Sequence, residues 1–337
     1  MKYYYQVEGG IRNNIGDVLQ GIVAKAFLPP NNAHVADREA LADIDKSEEA
    51  LLIANGWYMH SYEKFPPPPN VKPVYVSMHI AKSSLLSSKK VRDHFKQHAP
   101  IGCRDQKTLK LFLGWGIPAY YSGCLTTTTR QRAPINNTGT GEVLLVDNID
   151  HQVPQNVVDK LEQLLGTKLV RISHDPEDTS GNIEEYSARC EKHMDYLLER
   201  YCKARLIITT KIHCALPCLG MGANVMLIHP HPSEKRLAPV AELAHITSYE
   251  EVLSATELVK PPVKTEALKA RQEFLSNICR GSVAKGYNVM QNPDSEEFKK
   301  VKRDSIRQAK LYGMAVSGML KLGLANDTMK KVYGNSI

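Results

Sequence analysis

The chain has 337 residues, about twice the roughly 150 of a typical domain, so two domains are expected, each large enough to bury its own core. Hydrophobic residues make up 42% and charged residues 23%, with no long low-complexity tract, which excludes a disordered chain. Lys and Arg number 43 against 36 Asp and Glu, and the resulting +7 suits phosphorylated or acidic ligands while falling short of the basic stripe of a nucleic-acid binder.

Along the chain, short apolar or β-branched runs alternate with longer amphipathic ones, the pattern of parallel strands joined by helical crossovers. In the first half the expected strands are Tyr3 to Val7, Ala50 to Ala54, Pro73 to Met78, Pro100 to Cys103 and Ala119 to Ser122. Helices are expected over Asp17 to Phe27, Ser87 to Gln97 and Gln106 to Leu113. Pro66 to Asn70, PPPPN, reads as a stiff loop, because proline cannot serve a central strand. Arg130 to Gly141 lacks periodicity and is rich in Gly, Asn, Thr and Pro, which marks a domain boundary.

The second half opens with an expected strand at Glu142 to Val146, then helix Val153 to Leu165, strand Lys168 to Ile172 and helix Ile183 to Tyr201. Strand Arg205 to Thr209, helix Ile212 to Met221 and strand Asn224 to Ile228 follow. The expected organisation is a first domain over 1–130, a linker over 131–141, a second domain over 142–290 and a basic helical tail over 291–337. The tail begins with Asp294 and Glu297, a helix start signal, and carries Lys299, Lys300, Lys302, Arg303, Arg307 and Lys310. A helix packed on the body with a solvated basic side is the favoured reading, and peripheral contact with an anionic membrane surface is the alternative.

Seven cysteines, an odd number, show neither a disulfide ladder nor a zinc knuckle, so reduced thiols and a cytoplasmic setting are expected. The start, MKYYYQVEGG, lacks the apolar core of a signal peptide, and the most apolar window, Leu206 to Ile228, is interrupted by Lys211 and His213. There is no Walker loop, no G-x-G-x-x-G after the first strand, no H-E-x-x-H and no G-x-S-x-G elbow. Asp43 and Asp45 have D-x-D spacing but follow a charged run, and read as a solvated helix end.

Four segments gather polar residues where a parallel sheet binds ligands, at the carboxyl ends of strands. Asn13 to Asp17 opens a helix after the first strand; Asn14 and Asp17 suit either a hydroxyl-rich ligand or simple helix capping. His79 ends a strand and reads as a structural histidine or a catalytic one. Arg104 ends another, where its guanidinium suits a carboxylate or phosphate, or an ion pair with Asp105 or another carboxylate. Lys211 and His213 begin a helix whose positive N-terminus favours an anion. Cys214 and Cys218, one turn apart beside His213, are read as buried core cysteines in preference to metal ligands.

The segments NNIGDVLQ, IANGWYMH, VYVSMHIAKSS, IGCRDQKTL with YYSGCLTTT, and TTKIHCALPCLGMGANVMLI resemble, in order, the signature blocks of the polysaccharide pyruvyl transferase family, over roughly Ile11 to Ile228. The resemblance implies an α/β fold of two Rossmann-like domains in a GT-B-like arrangement, the site lying in the cleft between them, here with a C-terminal helical extension. It also implies transfer of the pyruvyl group of phosphoenolpyruvate onto two hydroxyls of a sugar, giving a cyclic ketal. Arg104 matches the family's donor-binding arginine, His213 the histidine of its R-x-H motif, His79 a histidine near the acceptor, and Asn14 with Asp17 the N-x-G-D block. Lys211 stands where the family has arginine; it keeps the charge and loses the planar fork.

On this reading Arg104 and Lys211 hold the donor's anionic ends, His213 carries a proton, and Asp17 or His79 relieves the sugar hydroxyl of its own. No metal or other cofactor is required. The acceptor belongs to a glycan precursor, and a lipid-linked one would give the basic tail a use. The rival reading is a GT-B glycosyltransferase with a nucleotide-sugar donor, for which only Glu184 and Glu185 offer an acidic ribose contact in the second domain. A third is a non-catalytic glycan-binding scaffold, encouraged by Lys211 and opposed by Arg104 and His213.

Overall fold

The computed structural model describes residues 1–10, 12, 14–147, 152–175, 178–292, 294, 299 and 303. In chain order these form β1 (Lys2–Val7), α1 (Ile15–Lys25), β2 (Ala33–Asp37), β3 (Ala50–Tyr58), β4 (Val71–Ile80), α2 (Lys89–Gln97), β5 (Ile101–Cys103), α3 (Gln106–Gly114) and β6 (Ala119–Tyr121). There follow β7 (Val143–Asp147), α4 (Gln155–Leu165), β8 (Leu169–Ser173), α5 (Ile183–Lys203), β9 (Leu206–Thr209), α6 (Ile212–Met221) and β10 (Val225–His229). The series ends with α7 (Ala238–Ala241), β11 (Thr247–Ser248), α8 (Tyr249–Ser254) and α9 (Thr265–Lys285). The basic tail expected over 291–337 lies almost wholly outside the described residues. None of the described helices is long and apolar enough to cross a membrane.

Two parallel sheets result. Among the described residues the first runs β2-β1-β3-β4-β5-β6 and the second β11-β10-β9-β7-β8. Central strands such as β3 (ALLIANGWY), β7 (VLLVD) and β9 (LIIT) are apolar nearly throughout and almost wholly buried, as a sheet covered on both faces requires. The edge strands β2 (AHVAD) and β8 (LVRIS) are only half buried. The α/β character expected from the sequence is therefore present in both halves.

The chain divides into two compact units. The first comprises Met1–Gly10, Ala24–Gly123 and Leu275 onward; the second comprises Ile11–Val23 and Cys124–Phe274. Most of α1 thus belongs with the second unit, although the strand before it belongs to the first. The segment Arg130 to Gly141, expected as a linker, is fastened to the second unit by its own polar groups. Asn136 N donates to Cys202 O at 2.8 Å, Asn136 Nδ2 to Lys203 O at 2.9 Å, and Gln131 Nε2 to Met221 O at 2.7 Å.

In the first unit the core is built on β3 and β4, with Phe95, Phe112 and Tyr75 packed against one another, the ring centroids of Phe95 lying 5.0 Å from each of the other two. His94 joins this aromatic cluster, its Nε2 2.8 Å from the Tyr75 hydroxyl. In the second unit Val143, Leu145, Leu161, Ile208 and Ile228 form the centre. There α4 stops at Gly166, whose φ of +64° is the left-handed cap that a side chain would strain. At Gly220, α6 comes so close to Thr127 that a Cβ would lie 2.2 Å from its carbonyl oxygen.

Burial holds the imidazole of His94 down to about 3 and that of His98 to about 4; in the second unit burial, aided by the nearby Lys211 charge, holds His174 to about 3. In the unfolded chain these rings titrate near 6.5. The unfolded state therefore binds the extra protons first. Stability is full above about pH 6.5 and is lost as pH falls from there toward 4, by about 1.4 kcal/mol per pH unit for each fully affected ring. Urea unfolding followed from pH 7.5 to 4.5 should show this slope, and His94→Gln should flatten it. A slope unchanged in that variant would show that His94 is protonated alike in both states.

Candidate functional site

In an open parallel sheet, ligands meet the chain outside the carboxyl ends of the strands, where successive connections leave in opposite directions. In the second unit that point lies between β7 and β9, since β8 is placed on one side of β7 and β9 on the other. The Thr209 hydroxyl at the end of β9 donates to Val146 O at 2.8 Å and accepts from Lys211 N at 3.0 Å, so strand and turn are locked together before α6 begins. Lys211 is the N-cap of α6, without a side-chain capping bond, and His213 lies in its first turn.

Lys211 sits among carboxylates. Burial lowers its ammonium from the ordinary lysine range; Asp175, Asp17 and Asp147 pull it back up, and Arg236 opposes them. Asp147, at the end of β7, has a side chain only 2% exposed. It accepts from Val153 N at 3.0 Å and lies 3.5 Å from Arg171 Nη2, while burial pushes its carboxyl upward. Beyond β8, Ser173 Oγ lies 2.5 Å from Asp175 Oδ2, and the wholly buried His174 has its Nε2 2.7 Å from the Tyr201 hydroxyl.

α1 completes this group. Ile15 N donates to His174 O at 3.0 Å, which seats the start of the helix beside the end of β8. Asp17 Oδ1 lies 3.5 Å from His213 Nδ1, an ion-pair distance long for a hydrogen bond, and also accepts from Gln20 Nε2 at 3.0 Å. Gly16 makes the approach possible, because a Cβ there would stand 2.9 Å from His213 Cβ. Asn14 Oδ1 accepts from Gly16 N at 3.0 Å, so this oxygen does the capping that the sequence left open. The structure thus brings Asp17, Lys211 and His213 together in one unit, with Asn14 beneath them as a cap.

The first unit carries the other expected residues. β4 holds an extra residue against β3: Ala54 pairs with Tyr75, but Gly56 pairs with Met78. Ser77 takes up the bulge at φ +56°, with its N–H donating to Ser122 Oγ at 3.1 Å. After the bulge His79 Nδ1 lies 2.6 Å from Asp105 Oδ2. Asp105 is also the N-cap of α3, its Oδ1 accepting from Thr108 N at 2.9 Å. Arg104 N donates to Met78 O at 2.7 Å, tying the arginine's backbone to β4, and its charge reaches both His79 and Arg38. The bonds of the Asp105 carboxylate go to His79 and Thr108.

Residues invisible to sequence reasoning lie at the carboxyl ends of β1, β2 and β3. Glu8 and Arg38, each 3% exposed, form a buried ion pair. Around them Arg38 Nε is 3.4 Å from Glu39 Oε1, its guanidinium stands 5.3 Å from the Trp57 ring, and His60 Nε2 is 3.5 Å from Glu8 Oε2. Nothing in the spacing of Glu8, Arg38 and His60 announces their meeting. Asp105 did leave a signal, as a D-x-x-T start directly after a strand.

The seven cysteines are all buried and unbridged, as read for Cys214 and Cys218. Among the described residues no three His, Cys, Asp or Glu side chains are grouped to hold a metal ion. Asp43 pairs with Lys64 at 2.6 Å and Asp45 with Lys2 at 2.7 Å, both at the surface. Glu185 is committed to the capping box of α5 with Asn182.

The family model for polysaccharide pyruvyl transferase matches residues 14–232, and the chain belongs to that family. No curated protein matches it. The matched span includes Asn14, Asp17, His79, Arg104, Lys211 and His213.

The close seat of Gly16 against His213 can be tested by Gly16→Ala. The added methyl must displace the imidazole, and shifts of about 1 Å at a reacting group can cost on the order of 100-fold. The variant should unfold within about 1–3 kcal/mol of wild type while its turnover falls at least tenfold. Wild-type turnover in a folded variant would place His213 away from the chemistry.

Proposed function

We propose that this member of the polysaccharide pyruvyl transferase family takes the pyruvyl group from phosphoenolpyruvate, sets it on two hydroxyls of one sugar in a glycan precursor as a cyclic ketal, and releases phosphate. The observation that carries this reading is the Asp17–His213 pair beside Lys211 at the start of α6, 3.5 Å apart and within the span the family model matches.

The chemistry needs a proton at the donor's methylene carbon, attack by a hydroxyl oxygen at the adjacent carbon, loss of phosphate and attack by a second hydroxyl. Of the two hydroxyl protons, one replaces that given to the methylene and the other leaves with phosphate. His213 is assigned the methylene proton: imidazole titrates near working pH, and such a group typically contributes 10²- to 10⁴-fold. Asp17 orients the ring and offsets its charge when protonated. Lys211 and Arg104 are assigned the donor's carboxylate and phosphate, with the N-terminus of α6 adding a partial positive charge.

Of the two acidic residues that the glycosyltransferase alternative could call on for a ribose, Glu185 is taken by the helix cap of α5. Asn14, proposed to bind the acceptor, spends one lone pair of Oδ1 on the Gly16 N–H and keeps its amide nitrogen and the second lone pair for that use.

Phosphate release from phosphoenolpyruvate, measured with a panel of glycan acceptors, tests the reading. Release should depend on acceptor and should survive a chelator, because the cations proposed are side chains. His213→Ala should lower kcat by 10²-fold or more, and Arg104→Ala should act mainly through the KM of phosphoenolpyruvate. Acceptor-independent hydrolysis, or turnover of a nucleotide sugar in its place, would refute pyruvyl transfer.

Lys211 gives a second test. Lys211→Arg should keep or improve use of phosphoenolpyruvate, whereas Lys211→Ala should raise its KM at least tenfold and, by leaving three carboxylates without their lysine, also lower thermal stability. Loss of donor use in a folded arginine variant would show a pocket shaped for another ligand.

A further inference from the structure

We propose that Asp105 is a positioning residue of the transfer: it holds the proton of His79 on Nδ1, so that Nε2 of the same ring takes the proton of the attacking sugar hydroxyl. The inference rests on the pyruvyl-transfer reading and deepens it, because it assigns the acceptor's base to His79 and names the group that makes the histidine competent.

The geometry begins in the backbone. A strand alternates its side chains between two faces, and one extra residue transfers everything after it to the opposite face. The bulge at Ser77 is that residue, and it is fixed from outside β4: Ser77 N donates to Ser122 Oγ, which in turn donates to Cys103 O at 3.0 Å. The reset strand end pairs Met78 with Cys103 on β5 and leaves His79 beside the residue that begins the next turn. That residue is Asp105, its side chain 7% exposed.

Both oxygens of Asp105 are constrained. Oδ1 accepts from Thr108 N, the capping bond of α3, and Oδ2 accepts from Thr108 Oγ1 at 3.1 Å and lies 2.6 Å from His79 Nδ1. The Thr108 hydroxyl is itself held, since it accepts from Ile80 N at 3.0 Å. The His79 bond, the Thr108 N–H and the Arg104 charge outweigh burial and keep Asp105 below the usual carboxylate range. An ionised carboxylate only accepts, so His79 Nδ1 must be the donor, and in the neutral ring Nε2 then carries the lone pair. Burial, with Arg104 and Lys107, lowers the ring's affinity for a second proton, while Asp105 opposes them. The ring therefore stands neutral, its tautomer fixed, its side chain 19% exposed and Nε2 bonded to no other described residue.

In the step assigned, the sugar O–H bond breaks, its proton passes to Nε2, and its electron pair forms the bond to the pyruvyl carbon. The imidazolium is offset by Asp105 until the proton leaves with the departing phosphate. Arg104, one residue before Asp105, serves the donor, so one turn after β5 supplies both a donor contact and the support of the base.

Asp105→Asn is the informative variant. The Thr108 N–H fixes which amide atom faces the helix: the oxygen must stay at the cap, so the NH₂ replaces Oδ2 against His79. An N–H there forces Nδ1 to accept and moves the ring proton to Nε2, which abolishes the base without removing the cap. Thermal unfolding should stay near that of wild type. In the presence of phosphoenolpyruvate and a productive acceptor, kcat should fall about 10²- to 10⁴-fold with the KM of phosphoenolpyruvate little changed. His79→Gln should match it, and the double variant should be no worse than either single one.

A readout independent of turnover is the ¹⁵N spectrum of histidine-labelled wild-type protein, with His79 assigned from its loss in His79→Gln. The proton should sit on Nδ1 in wild type and on Nε2 in Asp105→Asn, and the acid limb of residual activity should move to lower pH once the carboxylate's charge is gone. A wild-type proton on Nε2, or wild-type kcat in Asp105→Asn, overturns the inference while pyruvyl transfer stands. A wild-type protein that releases no phosphate from phosphoenolpyruvate overturns the reading and, with it, the role given to His79. If Asp105→Asn does not fold, the wild-type spectrum and His79→Gln decide the matter.

Discussion

A parallel sheet covered on both faces has one edge on which polar chemistry can be placed. Its faces must be apolar, its backbone groups are spent on neighbouring strands, and only where each strand hands over to its helix do side chains meet solvent without breaking the ladder. The residues given roles here obey that constraint. Asp147, Asp175 and Lys211 lie at or just beyond the carboxyl ends of β7, β8 and β9; Glu8, Arg38, His60, His79 and Arg104 lie at or just beyond those of β1 to β5. Their companions are the groups that end one element and start another, which explains why so many are also caps.

That double use has a mechanical advantage. Asp105 caps α3 with one oxygen and meets His79 with the other, so the position of the histidine's partner is set by the helix and not by a flexible side chain. Asn14 caps the turn into α1 and thereby places Asp17 and Gly16 against His213. A capping bond is worth on the order of 1 kcal/mol, and it is made before any ligand arrives. The geometry of the proposed site is in this sense a by-product of starting helices correctly. It also makes the sites fragile to changes, such as a methyl at Gly16, that leave every polar group in place.

Much of this was legible in the sequence. The central strands announced themselves as continuous apolar runs, and the predicted strands of the second half match β7 to β10 to within one residue at either end. β2 escaped because AHVAD is a short, half-exposed edge with a single β-branched residue, and β11 because two residues carry no period. β3 was cut short at Ala54 because Asn55-Gly56 reads as a turn; the strand continues through it with Gly56 at φ +95°. Arg130 to Gly141 has the composition of a linker, yet composition cannot tell a free loop from one whose asparagine is bonded to Cys202 and Lys203. Among site residues, those beside a sequence signal were found. Glu8 and Arg38 were not, because only the pairing of β1 with β2 brings them together.

The lysine at position 211, where the family resemblance implies an arginine, acquires a physical setting from its neighbours. A guanidinium is planar, permanently charged and lightly hydrated, and needs little help to stay ionised when half buried. An ammonium at the same place loses more on desolvation, and burial lowers Lys211 accordingly. Three carboxylates, Asp175, Asp17 and Asp147, act against that loss. Each of them also reduces the positive potential around Lys211. The same aspartates that support the lysine's charge would thus moderate its pull on the proposed phosphate-bearing donor, while Arg236, which acts on this group, and the N-terminus of α6 work in the other direction. An arginine at 211 would need less of this support, so on the proposed reading the carboxylates around residue 211 would tune donor affinity along with the residue itself.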